Sequence, residues 1–369
     1  MKLWHIAALL VVGLVVGAVF PYRLTQIFGQ ATLYVFLPAL IFEAAWNLDF
    51  HLMRRAWKPI LLLAVPGVGL TAAVIALCVH IVGTFAWGAA ILLGAILSAT
   101  DPIAVVAVFR RLAVPRELAT IVESESLLND AVAVVIYRAV IAALMLSAGT
   151  AGIVHAVWQA AAGVAIGIAI GLALAYVAAF ALRKRFSAPT QAIVSFAGAY
   201  GVYILADYFN WSGIFAVLAF GVALREFERH RISVTVAEGV ENIWEIAALV
   251  ANVVLFFLVG AALDFRRLSH TLPAVGLTLL AVFIARALLA NGLLRLVHER
   301  VHRVWRSVVR MAGIRGALSL ALALATPAAI EQRSLIIDAT MGVVIVTILV
   351  GSLTLNRRLE RLDLEPEQR

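Results

Sequence analysis

The chain has 369 residues, of which 64% are hydrophobic and 14% charged, and its mean hydropathy of +1.02 lies outside the range of soluble globular domains. Its formal charge of +8 does not point to nucleic acid, because the basic residues sit in short clusters between apolar runs, the pattern that orients a chain in a bilayer. Cys78, the single cysteine, lies inside an apolar run and excludes both a disulfide framework and a thiolate metal site.

Apolar runs long enough to cross a hydrocarbon core of about 30 Å predict an all-α polytopic membrane protein of about twelve transmembrane helices. The first, 4–20, follows Lys2, but Phe20, Pro21 and Tyr22 do not make the small-residue cleavage site of a signal peptide, so it reads as a retained helix. The second and third run over 31–48 and 59–82. The fourth, 87–109, is interrupted by Ser98-Ala99-Thr100-Asp101-Pro102. Pro102 has no N–H to bond the carbonyl of Ser98, and it biases Asp101 away from helical dihedrals. The fifth, 118–147, opens with the polar octet ESESLLND, Glu123 to Asp130. Next come 154–182, whose GVAIGIAIG at 163–171 signals close helix packing, and then 190–209, 212–224, 243–263 and 272–297. The eleventh, 307–326, is weakened by the glycines around Arg315 in Gly313-Ile314-Arg315-Gly316, and the twelfth spans 335–355.

Basic residues test the count. After even-numbered helices stand Arg54, Arg55 and Lys58; Arg110, Arg111 and Arg116; Arg183, Lys184 and Arg185; Arg225, Arg229 and Arg231; Arg300, Arg303 and Arg306; and Arg357, Arg358 and Arg361. After odd-numbered helices there are only Arg23, Arg266, Arg267 and Arg333. The positive-inside rule then places both termini in the cytoplasm of a multi-pass cell-membrane protein. The tail, 356–369, is too short to fold by itself, so the function lies within the bilayer.

Non-helical backbone at membrane depth survives only where it lines a cavity or a watery path, and paired interruptions in the two halves of a chain point to an inverted-repeat transporter with two crossing broken helices. Each ionisable group near a helix centre costs roughly 2.5 to 3.5 kcal/mol on insertion scales, so such groups pair or serve an ion path. In the fifth helix Ser126 and Asp130 share a face, while Glu125 and Asn129 form a second pair rotated by about 100°. Asp130 reads either as one half of a buried salt bridge or, with Asp101, Ser126 and the freed carbonyls, as a hard-oxygen cluster suited to an alkali cation. Glu123 reads as a solvated or dipole-offsetting acid, Asp207 as an interfacial or funnel charge, and Arg138 as paired or snorkelling. Glu245 reads as an acid at the start of the ninth helix, with Trp244 beside it as an interface anchor. The eight histidines show no metal-ligand spacing.

ATDP at 99–102, ESLLNDAVAVVIY at 125–137, LPALIFEAAW at 37–46, WSGIFAV at 211–217, NVVLFFLVG at 252–260 and GIRGALSLALAL at 313–324 resemble the monovalent cation/proton antiporters of the NhaP and sodium/proton exchanger type, in order and over nearly the whole chain. The resemblance implies that Asp130 is the cation ligand and proton-binding group, with Asp101, Thr100 and Ser126 as further ligands. It implies that Glu43 approaches the ion from an adjacent helix, that Glu125 is a structural acid paired with Arg286, and that Arg315 balances the half-helix ends. Asn129 stands where electrogenic relatives carry a second aspartate, which implies electroneutral one-for-one exchange of Na+, or of K+ or Li+, for H+. The same resemblance implies a scaffold and dimerisation domain, 1–58 and 154–263, an ion-translocating core, 59–147 and 272–355, and a homodimer. Members usually carry a thirteenth helix at the N-terminus, and this chain begins with what resembles their second. The expected partners are the cation, the proton and the bilayer, with no nucleic acid and no cofactor. A passive cation channel and an intramembrane transferase are the competing classes; the paired breaks argue against the first and the absence of Asp-rich surface loops against the second.

Overall fold

The computed structural model describes residues 3–19, 31–101, 116–145, 150–182, 186–229, 233–262, 265–292 and 313–359. Among these residues there is no strand. The helices are α1 (Leu3–Val19), α2 (Ala31–Asn47), α3 (Phe50–Arg55), α4 (Trp57–Ala64), α5 (Pro66–Ile81), α6 (Trp87–Ser98), α7 (Arg116–Met145), α8 (Thr150–Ala181), α9 (Ala188–Tyr208), α10 (Gly213–Glu228), α11 (Val234–Ala262), α12 (Phe265–Asn291), α13 (Ala317–Ala325) and α14 (Arg333–Leu359). Each of the twelve predicted helices has a counterpart. Five stretches among the described residues are both long and apolar enough to cross a membrane: Trp57–Ile81, Ala119–Met145, Val154–Ala181, Val234–Leu258 and His270–Asn291.

The differences from the expected boundaries have local causes. The predicted 59–82 is divided into α4 and α5 at Pro66, which cannot donate a backbone hydrogen bond to the preceding turn. α11 starts at Val234, well before the apolar run begins, because Ser233 caps it: the Ser233 hydroxyl and carbonyl both accept from the Val236 N–H. Glu245 therefore sits in mid-helix rather than at a helix start. Trp244 is not an interface anchor; it is fully buried, stacked on Phe196 at a centroid distance of 3.8 Å, and its indole N–H donates to the Ser195 hydroxyl at 2.9 Å. The ends of the predicted helices at 102–109, 293–297 and 307–312 lie outside the described residues.

The chain divides into two compact units. The first comprises Met1–Gly29, His51–Leu144 and Leu255–Arg369. In it α5 packs against α6 and α12, α12 against α14, and α13 against α14. The second comprises Gln30–Phe50 and Met145–Val254, with α10 at its centre against α2, α8 and α9. Gly167 and Gly171 of α8 lie against the carbonyls of Ser212 and Ala216, so close that any side chain would overlap the α10 backbone. Small residues at a membrane helix contact permit this approach. Phe42, Phe220 and Trp244 fill the middle of the second unit, and on its exposed side Asp207 accepts a hydrogen bond from the Tyr34 hydroxyl.

Candidate cation site at the helix crossing

α6 ends at Ser98 because Ala99 turns extended, with φ −60° and ψ 140°, and residues 99–101 continue without helix. The second break is residues 313–316, after which Gly316, at φ −135° and ψ −157°, hands over to α13. The two breaks join directly. The Asp101 N–H donates to the carbonyl of Ile314 at 2.8 Å. Arg315, 1% exposed, donates from Nη1 to the carbonyls of Ala99 at 3.0 Å and Ser98 at 3.3 Å, while its own N–H goes to the Thr347 hydroxyl at 3.2 Å. A helix end leaves its last carbonyls without intrahelical partners and carries partial negative charge, so a guanidinium inserted there answers both needs.

α7 forms the next layer. The Ser126 hydroxyl donates to the Thr100 carbonyl and lies 3.2 Å from the Thr100 hydroxyl. One helical step away, the Asn129 amide nitrogen donates to Glu125 Oε1 at 3.1 Å and to the Thr100 hydroxyl at 3.4 Å. That same Glu125 oxygen receives Arg286 Nη1 at 2.8 Å, a pair in which both residues are buried. Gly313 leaves room for this arginine: a side chain there would press on the Arg286 Cγ, Cδ and Nε.

Asp130, one turn after Ser126, takes a hydrogen bond from the Thr100 backbone and feels the charges of Asp101 and Arg315. Its Oδ1 is buried and has no hydrogen-bond partner. Buried polar atoms are nearly always bonded, and an ionised one left bare is costly, so an orphaned carboxylate oxygen beside freed carbonyls marks a place for a positive ligand. The Thr100 carbonyl and hydroxyl, the Ser126 hydroxyl and the Asp101 and Asp130 carboxylates offer only hard oxygen donors, the kind that replace the water shell of an alkali cation.

The structure thus brings Thr100, Asp101, Glu125, Ser126, Asn129, Asp130, Arg286 and Arg315 together in the first unit. Glu43 belongs to the second unit, on α2, where its Oε1 accepts from Asn47 at 2.8 Å. Two residues escaped the sequence reading. Thr347 receives the Arg315 N–H, and a lone hydroxyl in an apolar helix gives no sign of such a bond. Asp338 is 5% exposed on α14, and the acid in the apolar stretch IIDATMG was a signal that went unused.

Gly316 supplies a direct test of the crossing. A Cβ at this position would overlap the Cβ, Cγ and Oδ2 of Asp101, so the whole acid must move to make room. Gly316→Ala is expected to remove most ion-dependent activity while lowering stability by about 1 to 3 kcal/mol, the usual range for overpacking. Its extended φ suits alanine, so the effect is steric rather than one of backbone strain. Transport per folded protein and the melting temperature, measured together, check both halves.

A family model described as "Sodium/hydrogen exchanger, transmembrane" matches residues 1–361 of the chain. The chain belongs to the sodium/hydrogen exchanger family. This exchanger is 32% identical over 365 residues to the Na+/H+ antiporter ApNhaP of Aphanothece halophytica, a match that covers 96% of the chain and 69% of that protein. It is 31% identical over 383 residues to the low-affinity Na+/H+ antiporter NhaS1 of Synechocystis, covering 100% of the chain and 71% of that protein. Its fold matches the structure of the sodium proton antiporter MjNhaP1 from Methanocaldococcus jannaschii at pH 8, with a TM-score of 0.79 over 94% of this chain and 92% of that one; at 21% identity this likeness speaks for the fold alone. The exchanger is a multi-pass membrane protein of a transporter family, and the transferase reading falls away.

Proposed function

We propose that this exchanger is a secondary active antiporter that trades Na+ for H+ by alternating access, with Asp130 as the group for which the two ions compete. The bare, buried Oδ1 of Asp130 beside the unwound crossing carries the reading. One carboxylate charge offsets one proton or one monovalent cation in a desolvated site, but not both together. If the charged, empty site cannot cross the membrane and either neutralised form can, exchange follows without a separate gate. Thr100, Ser126 and Asp101 supply further oxygens for the cation. Asn129 keeps its amide nitrogen on Glu125 and Thr100, so the pair Asn129-Asp130 offers one titrating carboxylate, which favours electroneutral one-for-one exchange. Arg315 offsets the helix-end carbonyls at the crossing, and Glu125 with Arg286 holds α7 in register. Glu43 enters the proposal on the resemblance alone.

The proposal extends to a translocating core of 59–147 and 272–355 and a scaffold of 1–58 and 154–263 through which two copies associate, in the cell membrane with both termini cytoplasmic. The charge alternation of the loops supports that orientation. Purified protein in proteoliposomes with a preset pH gradient tests the central claim. Addition of Na+ is expected to collapse the gradient with no dependence on an imposed voltage. A conductive, voltage-driven Na+ flux without proton movement would mark a passive channel and overturn exchange. The same assay run with K+ and Li+ ranks the cations.

A further inference from the structure

We propose that Gln332 and Arg333 act as a clasp that positions the cation site from the far ends of the two broken helices; the inference rests on the exchange reading of that site. The two residues stand at the start of α14, just after the turn that follows α13. Gln332 adopts a left-handed backbone conformation, φ 56°, shared among described non-glycine residues only with Asn210. Such a conformation is disfavoured for a long side chain and persists where the surroundings dictate it. At this turn the Gln332 side chain bonds to the start of α6 and the Arg333 side chain to the end of α13.

The Gln332 side chain reaches the beginning of α6. Its Oε1 accepts from the Ala86 N–H at 2.8 Å and its Nε2 donates to the Thr84 carbonyl at 3.4 Å. Ala86 is the N-cap residue of α6 and has no side-chain oxygen to cap with, so Gln332 provides from a remote part of the chain the contact that a capping-box glutamine provides locally. Arg333 turns to the end of α13. Its Nε donates to the carbonyl of Thr326 at 2.6 Å and its Nη2 to that of Leu324 at 3.1 Å, carbonyls that the helix itself leaves unsatisfied. The guanidinium also sits where the negative end of the α13 dipole favours a cation. Thr326 ties in a third element, since its hydroxyl receives the Tyr137 hydroxyl at 3.5 Å from α7, two turns beyond Asp130.

Adjacent residues thereby hold the start of α6 and the end of α13. The other ends of these two helices meet at the crossing, through Asp101 with Ile314 and Arg315 with Ser98 and Ala99. Two short struts are pinned at both ends, and α7 is tied to the same corner. This frame matters unequally to the two competing ions. A proton needs one carboxylate oxygen, whereas a cation needs several oxygens from the α6 break and from α7 at the correct spacing together. Loosening the clasp therefore weakens the cation while leaving proton binding and the carrier cycle intact. Gln332 and Arg333 are positioning residues, since they act through the half-helices rather than on the ion.

The test measures KM and kcat for Na+ in proteoliposomes containing the whole protein, with the melting temperature recorded for each variant. Arg333→Ala, which removes both charge-assisted hydrogen bonds to the α13 carbonyls, is expected to raise the KM for Na+ by about tenfold or more, while kcat per folded protein stays within about twofold. Arg333→Lys, which keeps a cation able to reach one carbonyl, should recover part of that loss. Gln332→Gly deletes both side-chain bonds but suits the left-handed backbone, so it should raise KM without lowering the melting temperature. It decides the matter if Arg333→Ala does not fold. An unchanged KM in Gln332→Gly, or a fall in kcat with KM constant, overturns the clasp. Absence of Na+-driven exchange in the unaltered protein overturns the exchange reading itself, and the clasp with it.

Discussion

Asp130→Asn is expected to abolish Na+-driven collapse of a pH gradient while leaving the exchanger folded. The substitution keeps the shape of the side chain and removes the two properties that exchange requires. An amide has no proton to release, and no charge to offset a cation in a site where water has been excluded. Folding is spared for the same geometric reason that makes the residue stand out. The Asp130 Oδ1 has no hydrogen bond to lose, and a neutral amide among oxygen and amide groups is cheaper to bury than a lone carboxylate. The prediction thus separates a working group from a structural one. Were Asp130 held in a permanent ion pair, its loss would lower the melting temperature and leave transport in the surviving folded fraction. Proteoliposome exchange and thermal unfolding of the same preparation give the two readings. Exchange above background in Asp130→Asn would remove this residue from the centre of the mechanism and shift attention to Asp101.

The architecture was legible because the bilayer imposes a coarse rule: backbone polar groups must be satisfied internally, so apolar runs become helices. That rule is blind to polar turns. It missed the first part of α11, where TVAEGVEN precedes the apolar run behind a Ser233 cap, and it missed α3, a short helix carrying Arg54 and Arg55. It also misjudged Trp244, since tryptophan marks interfaces in membrane proteins on average but fills a core here. In the site, both breaks were readable from local chemistry, from Pro102 after Asp101 and from the glycines around Arg315. The separation of 161 positions between Glu125 and Arg286 was not bridged by any helical periodicity; only the resemblance to the exchangers suggested that they belong together. Contacts such as Gln332 with Ala86, 246 positions apart, had no sequence signal, because they depend on how finished helices dock rather than on how each one forms.

Glu125→Gln is expected to destabilise the exchanger by about 3 to 5 kcal/mol, the cost of removing one partner from a buried ion pair. Glu125 Oε1 stands 2.8 Å from Arg286 Nη1 in a place where both residues are almost fully covered. Once the carboxylate is gone, the buried guanidinium loses the charged acceptor that stands 2.8 Å from it. A second effect adds to the first. The Asn129 amide nitrogen donates to that same glutamate oxygen, and a glutamine that turns its NH2 toward Arg286 or Asn129 sets donor against donor. Asn129 neighbours Asp130 and also reaches the Thr100 hydroxyl, so the disturbance passes into the proposed cation site, and transport should fall along with stability. Glu125→Gln combined with Arg286→Gln offers the control. Two neutral amides can bond each other, and the double variant should recover at least half of the lost melting temperature because no buried charge is left unopposed. A single variant that melts with the unaltered protein would show that Arg286 is neutralised from elsewhere. A double variant no better than the single one would show that the guanidinium has a separate task next to the Gly313 break, where its side chain crosses the backbone.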